Sequence, residues 1–309
     1  MKIITLTLNP AFDVHCFAEN FAPYHENLAE VIDREAGGKG INISRALSSF
    51  GVDNLALTVL GDENGESFER ILSADGLNFR TLWVKGRIRE NITVHTNGAD
   101  ETRISFEGFR ADGGLLERVG EQLTEEGLDG AYVTFTGRAP TGISMAEIKA
   151  FVSSLGQMGA RVIIDSRSFS LAELLEARPY LIKPNEEEIS AYFGREIKTA
   201  SEAKSAALSL CEGGIENVMI SLGDRGAVLA TRSGVWSAVP PKIEAVSTIG
   251  AGDSSIGGFL AALGEGRTER EALRYAVSFG TAACLTKGTR PPLPEDIARI
   301  LPQVTVSEI

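Results

Sequence analysis

The stretch STIGAGDSS, residues 247–255, combines residue types that could handle an anion and a proton together. Gly250, Ala251 and Gly252 precede Asp253, and the following IGGFLAALGEG reads as a small-residue helix running to about Gly264. The first turn of a helix carries unpaired N–H groups and the positive end of the helix dipole, and both attract anions. An acid beside that turn could accept the proton of a hydroxyl attacking there. The same residues would also make an ordinary helix cap, because Asp and Ser cap well and glycines turn the chain.

Other stretches offer partners for such a site. REAGGKGINISRAL, residues 34–47, sets Gly38, Lys39 and Asn42 at the entrance of a second helix, which suggests anion capture by backbone N–H groups and one point charge. It lacks the GxxxxGK[ST] spacing of a P-loop and is not GxGxxG. In TLNPAFD, residues 7–13, Asp13 follows a strand end, where ligands of parallel sheets bind and where a carboxylate could accept sugar hydroxyls. GRIRENITV holds Arg87 and Arg89 on one face of an extended segment, able to clamp a phosphate or simply to guard a sheet edge. LIKPNEEEI, residues 181–189, follows a strand with Lys183, Asn185 and Glu188; the last two could hold hydrated Mg²⁺ near phosphates that Lys183 also faces. Glu186 and Glu187 read more simply as acids opening a helix. ISLGDRGAV, residues 220–228, is a glycine turn between two strands, of a kind that lets a nucleotide approach the backbone.

The elements that must position these residues alternate. Short apolar runs such as KIITLTL, NLALTVLG, GAYVTF, RVIIDS and NVMISLG are separated by helical segments such as SMAEIKAFVSSLGQMG and ASEAKSAALSLCEGG. That rhythm predicts an α/β fold with a mostly parallel, doubly wound sheet covered on both faces. Two regions, about 12–35 and 79–110, alternate polar and apolar residues and predict a small exposed antiparallel sheet acting as a lid or dimer surface. One domain over residues 1–309 with an inserted lid is the simplest division, and the chain is expected to end on two helices. With 309 residues, 43% hydrophobic, the chain can bury a large core. A net charge of -12 without basic runs argues against nucleic acid and requires any anion to be met by a few focused cations. Cys16, Cys211 and Cys284 form no disulfide or zinc pattern. The absence of a leader or membrane-spanning run predicts a cytoplasmic protein.

Together AGGKGIN, STIGAGDSSIGGFL, KPNEEE and SLGDRGA resemble, in order and over essentially the whole chain, the phosphofructokinase B family of ribokinase-like sugar kinases. Within it, TLNPAFD, AGGKGIN and GRIREN are most similar to kinases acting on 1-phosphorylated fructose or tagatose 6-phosphate. The resemblance implies that Asp253 is the base, with Gly250, Ala251 and Gly252 as the anion hole for the transferring phosphoryl group. It implies that Asp13, Gly38, Lys39 and Asn42 hold the sugar phosphate, with Arg89 reaching over from the lid. It assigns Asn185 and Glu188 to Mg²⁺ and phosphates. It further assigns Lys183, Ser221, Gly223 and Gly226 to ATP, with Gly280 in a segment near adenine. A homodimer through the lid is also implied. One turn departs: TGRAPTG, residues 136–142, carries Arg138 and Ala139 where relatives have Ser and Leu, so Arg138 is a candidate for the substrate phosphate. The rival expectations are a catalytically silent sensor on the same fold, against which the intact GAGD weighs, and a dinucleotide oxidoreductase, which lacks its GxGxxG.

Overall fold

The computed structural model describes residues 1–97 and 101–309. Its strands are β1 Ile3–Thr7, β2 Ala11–Phe17, β3 Glu30–Gly37, β4 Leu55–Gly61, β5 Phe79–Val84, β6 Arg89–His95, β7 Glu101–Ser105, β8 Tyr132–Thr136, β9 Arg161–Asp165, β10 Leu181–Ile182, β11 Asn217–Ser221, β12 Ala227–Thr231, β13 Gly234–Val239 and β14 Thr305–Glu308. Its helices are α1 Lys39–Ser49, α2 Gly65–Ala74, α3 Leu115–Glu126, α4 Met145–Gln157, α5 Leu171–Ala177, α6 Glu186–Phe193, α7 Ala200–Glu212, α8 Ala251–Gly264, α9 Glu269–Ala283 and α10 Pro294–Ile300.

Ten strands form one sheet in the order β14-β13-β12-β11-β10-β9-β8-β1-β4-β5. From β11 to β5 every pairing is parallel; β12, β13 and β14 extend the β11 edge antiparallel. The parallel strands are apolar on both sides because helices cover both faces. One face packs on α3 to α7 through residues such as Val119, Phe151 and Ala207. The other packs on α1, α8, α9 and α10 through Ile43, Phe259, Phe279 and Ile297. The α/β reading therefore holds, and the parallel strands send their C-terminal ends to one edge, where such sheets bind ligands.

A four-stranded sheet, β3-β2-β6-β7, stands beside it. Two of its pairings are antiparallel, but β2 and β6 run parallel, so the small sheet is not the all-antiparallel one expected. Its β2 presents Phe12, Val14 and Cys16 to Phe68 and Leu72 of α2 in a third apolar cluster, which seats the sheet on the body of the fold. Two further expectations are corrected. Phe79–Val84, assigned by its alternation to the lid, is β5, the edge strand of the large sheet, paired with β4. An edge strand exposes one side to water and so alternates like a lid strand. The chain also ends on a strand: β14 follows the last helix and closes the sheet edge against β13. The expected lid span includes residues 98–100, which lie outside the described residues.

Candidate active site

The parallel strands β1, β8, β9, β10 and β11 deliver Thr7, the turn at Gly137 and Arg138, Asp165, Lys183 and Ser221 to one edge of the sheet. Two helices start there. Helix α8 begins at Gly250, whose φ of 79° is a left-handed conformation that suits glycine, and no side chain caps it. Helix α1 begins at Gly38, also without a side-chain cap. The two helices pack together, and a Cβ at Gly257 of α8 would sit 3.0 Å from that of Ala46. That close approach brings Asn42 of α1 to Asp253 in the first turn of α8: Asn42 Nδ2 donates to Asp253 Oδ2 at 2.8 Å. Both side chains are buried, Asp253 being only 6% exposed.

Burial pushes the Asp253 carboxyl up to about 6. Lys39, the Asn42 hydrogen bond and Lys183 pull it down, while the neighbouring Asp165 pushes it up. A carboxylate with a pKa near the working pH is suited to accept a proton. Asp165, at the end of β9, has no solvent of its own; its Oδ2 lies 3.0 Å from Lys39 Nζ and 3.7 Å from Lys183 Nζ. Burial would raise its pKa, yet the two lysines outweigh burial and hold it below the ordinary carboxylate value. Burial likewise opposes the Lys39 charge, but Asp165 and Asp253 more than compensate and raise its pKa. Lys183 Nζ also reaches the start of α8, 3.1 Å from where a Cβ on Gly252 would be. An uncapped helix mouth, two lysines and a buried carboxylate thus converge on one point.

A second group of charges faces it from the lid. Asp13 Oδ1 accepts from Asn91 Nδ2 at 2.9 Å and from Arg103 Nη2 at 3.0 Å. Arg89 donates through Nη1 to Asn91 at 3.4 Å and through Nη2 to the carbonyl of Asn9 at 3.3 Å. Burial holds the Arg89 pKa below the ordinary value; Asp13 opposes that shift, and Arg138 and Arg103 add to it. Arg87 is exposed and pairs with Glu90.

The structure thus gathers Asp253, Gly250, Ala251, Gly252, Asn42, Lys39 and Lys183 at the helix mouth, and Asp13 and Arg89 at the lid, with Arg138, in the turn after β8, close enough for its charge to act on Arg89. Lys39, expected to hold the sugar phosphate, pairs with the buried Asp165 beside the helix mouth. Asn185 and Glu188 form a capping box on α6: Glu188 N donates to Asn185 Oδ1 at 2.8 Å, and Asn185 N to Glu188 Oε2 at 3.0 Å. Glu188 Oε1 also accepts from Arg167 Nε at 2.8 Å. Among the described residues no three acidic, His or Cys side chains gather as a metal cage. Ser221 ends β11 beside Asn185, and Gly223 and Gly226 shape the turn into β12. Gly280, expected near adenine, is buried in α9, where a Cβ would strike Ser255 Oγ in the first turns of α8. Asp165, Asn91 and Arg103 were not singled out from sequence. Asp165, as the last residue of an apolar strand, carried a positional signal that could have found it; a lone Arg in the exposed β7 or a lone Asn in the half-buried β6 carries none.

Comparison with known proteins agrees with this geometry. Residues 8–296 match the description of the pfkB family of carbohydrate kinases. This chain belongs to that family. A 1-phosphofructokinase of Escherichia coli is 33% identical over 304 residues, covering 97% of both chains. The E. coli ATP-dependent 6-phosphofructokinase isozyme 2 is 30% identical, covering 97% of this chain and 98% of its own. A crystal structure of E. coli phosphofructokinase-2 in complex with substrates and products superposes with a TM-score of 0.90 at 29% identity, over 98% of this chain and 99% of that one. The pfkB carbohydrate kinase fold thus accounts for the large sheet and the small one beside it. Among the described residues no helix is long and apolar enough to cross a membrane.

Proposed function

We propose that this carbohydrate kinase transfers the γ-phosphoryl group of ATP to a ketose phosphate, above all fructose 1-phosphate, yielding fructose 1,6-bisphosphate. The observation that carries this reading is the buried Asp253 at the uncapped mouth of α8, held by Asn42 and flanked by Lys39 and Lys183. Phosphoryl transfer asks for positioning and charge stabilisation more than for covalent chemistry. The α8 N–H groups and the lysines would stabilise the transferring group, and Asp253 would take the proton of the attacking hydroxyl. Asp13 and Asn42 would bind sugar hydroxyls, and Arg89 and Arg138 the substrate's own phosphate. Ser221, Gly223 and Gly226 would line the nucleotide side. Relatives named 1-phosphofructokinase and ATP-dependent 6-phosphofructokinase support both the donor and a phosphorylated ketose acceptor.

Mg²⁺ commonly binds one or two protein carboxylates together with phosphate oxygens, so the lack of a protein cage is compatible with it. Glu188, engaged in its cap but near Lys39, is the carboxylate that would hold it, through water or phosphate. The ion would neutralise charge on the phosphates.

The lid supports a homodimer. Leu28, Val31, Ile32, Ile104 and Phe106 leave apolar side chains exposed on and beside its strands, Leu28 to 94%, and a second copy of the lid would cover part of them.

The deciding assay is ADP release with Mg²⁺-ATP on fructose 1-phosphate, tagatose 6-phosphate, fructose 6-phosphate, fructose and ribose. Fastest turnover on fructose 1-phosphate is expected. Preference for an unphosphorylated sugar would overturn the reading, because the arginines would have no anion to meet.

A further inference from the structure

Where the lid meets the turn after β8, Arg103 pairs with Asp13, and Arg89 is close enough to feel the charges of Asp13, Arg103 and Arg138. Arg89 is partly buried, and its Nε is sealed from solvent without a hydrogen-bond partner. Asn9, whose carbonyl accepts from Arg89, donates through its side chain to the carbonyl of Ala139 at 3.3 Å, so the Arg138 turn and the Arg89 strand are tied together. Arg103 comes from β7, the outermost strand of the lid, whose five residues are all exposed. It crosses to Asp13 and shares Oδ1 with Asn91. Register explains the meeting: Asp13 is level with Asn91, and His15, two residues on, is level with Thr93, which is level with Arg103. Arg89, Arg103 and Arg138 outnumber the carboxylates beside them: Asp13 and, level with it on β3, Glu35, which pairs with Arg290. In a chain of net charge -12, that excess of positive charge is local.

We propose that Arg103 is a specificity-determining residue that changes partners: it leaves Asp13 to close, with Arg89 and Arg138, on a dianionic phosphate monoester of the substrate. This rests on the kinase reading and names the chemical class at its acceptor site. A local excess of guanidinium charge suits a phosphate monoester, which carries nearly two negative charges at neutral pH. Guanidinium forks suit phosphate oxygens. Arg103 can make the exchange because its side chain is 49% exposed and sits at a sheet edge. Its departure leaves Asp13 Oδ1 with Asn91 alone and opens a place there for a sugar hydroxyl. A sugar without the phosphate leaves Arg103 on Asp13, in competition with that hydroxyl. Selectivity therefore has two sources, the grip on phosphate and the release of Asp13.

The test compares kcat/KM for fructose 1-phosphate and fructose in the wild type, Arg103→Gln and Arg138→Ser. Loss of one charge-assisted contact should lower the value for fructose 1-phosphate by about 10- to 100-fold in each variant, mostly through KM. In Arg103→Gln the weak turnover of fructose should rise, because Asp13 then keeps only its hydrogen bond from Asn91. Unchanged ratios would overturn the proposal. An equal fall on both sugars in Arg103→Gln would overturn it too, since Arg103 would then only orient Asp13. If the wild type accepts no phosphorylated ketose, the kinase assignment of the acceptor fails by itself. The cradle is then read with inorganic phosphate as probe. Thermal stabilisation of the wild type that the Arg103→Gln/Arg138→Ser double variant lacks supports it, and equal response in both refutes it.

Discussion

Replacing Asp253 by Asn separates the carboxyl's chemical role from its cost to the fold. In a flexible chain an aspartate ionises near pH 4, whereas burial pushes Asp253 up to about 6. Each pH unit between two such values is worth ~1.36 kcal/mol, so ionised Asp253 costs the native state about 3 kcal/mol. Below pH 4 the group is protonated in both folded and unfolded chains and costs nothing. The cost grows between pH 4 and 6 and is complete above 6. The amide introduced by Asp253→Asn keeps the shape of the carboxyl and can accept the Asn42 hydrogen bond without a charge. At an unfolding entropy of ~2.1 cal/mol/K per residue, a 309-residue chain should gain about 5 °C in melting temperature at pH 7.5 and almost none at pH 4. Over the same substitution kcat should fall by about 10²- to 10⁴-fold while nucleotide still binds. In the wild type, kcat should fall about tenfold per pH unit below 6, as the base is protonated. The same Tm difference at both pH values would refute burial as the source of the shift. Retention of more than a tenth of the activity would refute the base assignment.

Two further outcomes follow from the buried charges and the lid. Asp165→Asn should destabilise the fold by about 3–5 kcal/mol, because Lys183, 5% exposed, would be left as a buried cation without its anion; urea denaturation reads this, and a loss below 1 kcal/mol would contradict the pairing. Leu28→Glu should shift the chain from dimer to monomer in sedimentation, since the residue is exposed on the lid and has no packing to lose in the single chain; an unchanged mass would place any dimer contact elsewhere.

What could be read from residues alone was whatever a local pattern carries. Helix α8 begins at Ala251 and ends at Gly264, as the small-residue run after STIG implied, because a glycine in the left-handed conformation and a bare first turn are written in adjacent letters. The parallel strands were equally legible, being short, apolar and bounded by polar turns. Strand β5 was misassigned because the half-exposed edge of a large sheet and the half-exposed sheet of a lid share the same two-residue period. Strand β14, TVSE, has too few apolar residues to announce itself. The partner of Lys39 was out of reach for another reason: Asp165 lies 126 residues away, and only the parallel order of β1, β8 and β9 brings the two together. Arg103, alone in an exposed strand, carries the same local pattern as the charges that discourage edge pairing; its contact with Asp13 spans 90 residues.

The position of Asp165 bears on the basicity of Asp253 as well as on the lysines. Burial favours the protonated form of Asp253, and a protonated acid cannot accept the hydroxyl proton. The two lysines act the other way and lower the carboxyl, making it a weaker base, while Asp165 opposes them. With Asp165 between them the lysines contribute a net single positive charge, so burial and Asp165 are set against Lys39, Lys183 and the Asn42 hydrogen bond. The result, about 6, leaves Asp253 ionised at neutral pH while keeping it more basic than an ordinary aspartate. Removing the Asp165 charge should therefore move the acid limb of the kcat profile to lower pH, a displacement that a purely structural role for Asp165 would not produce.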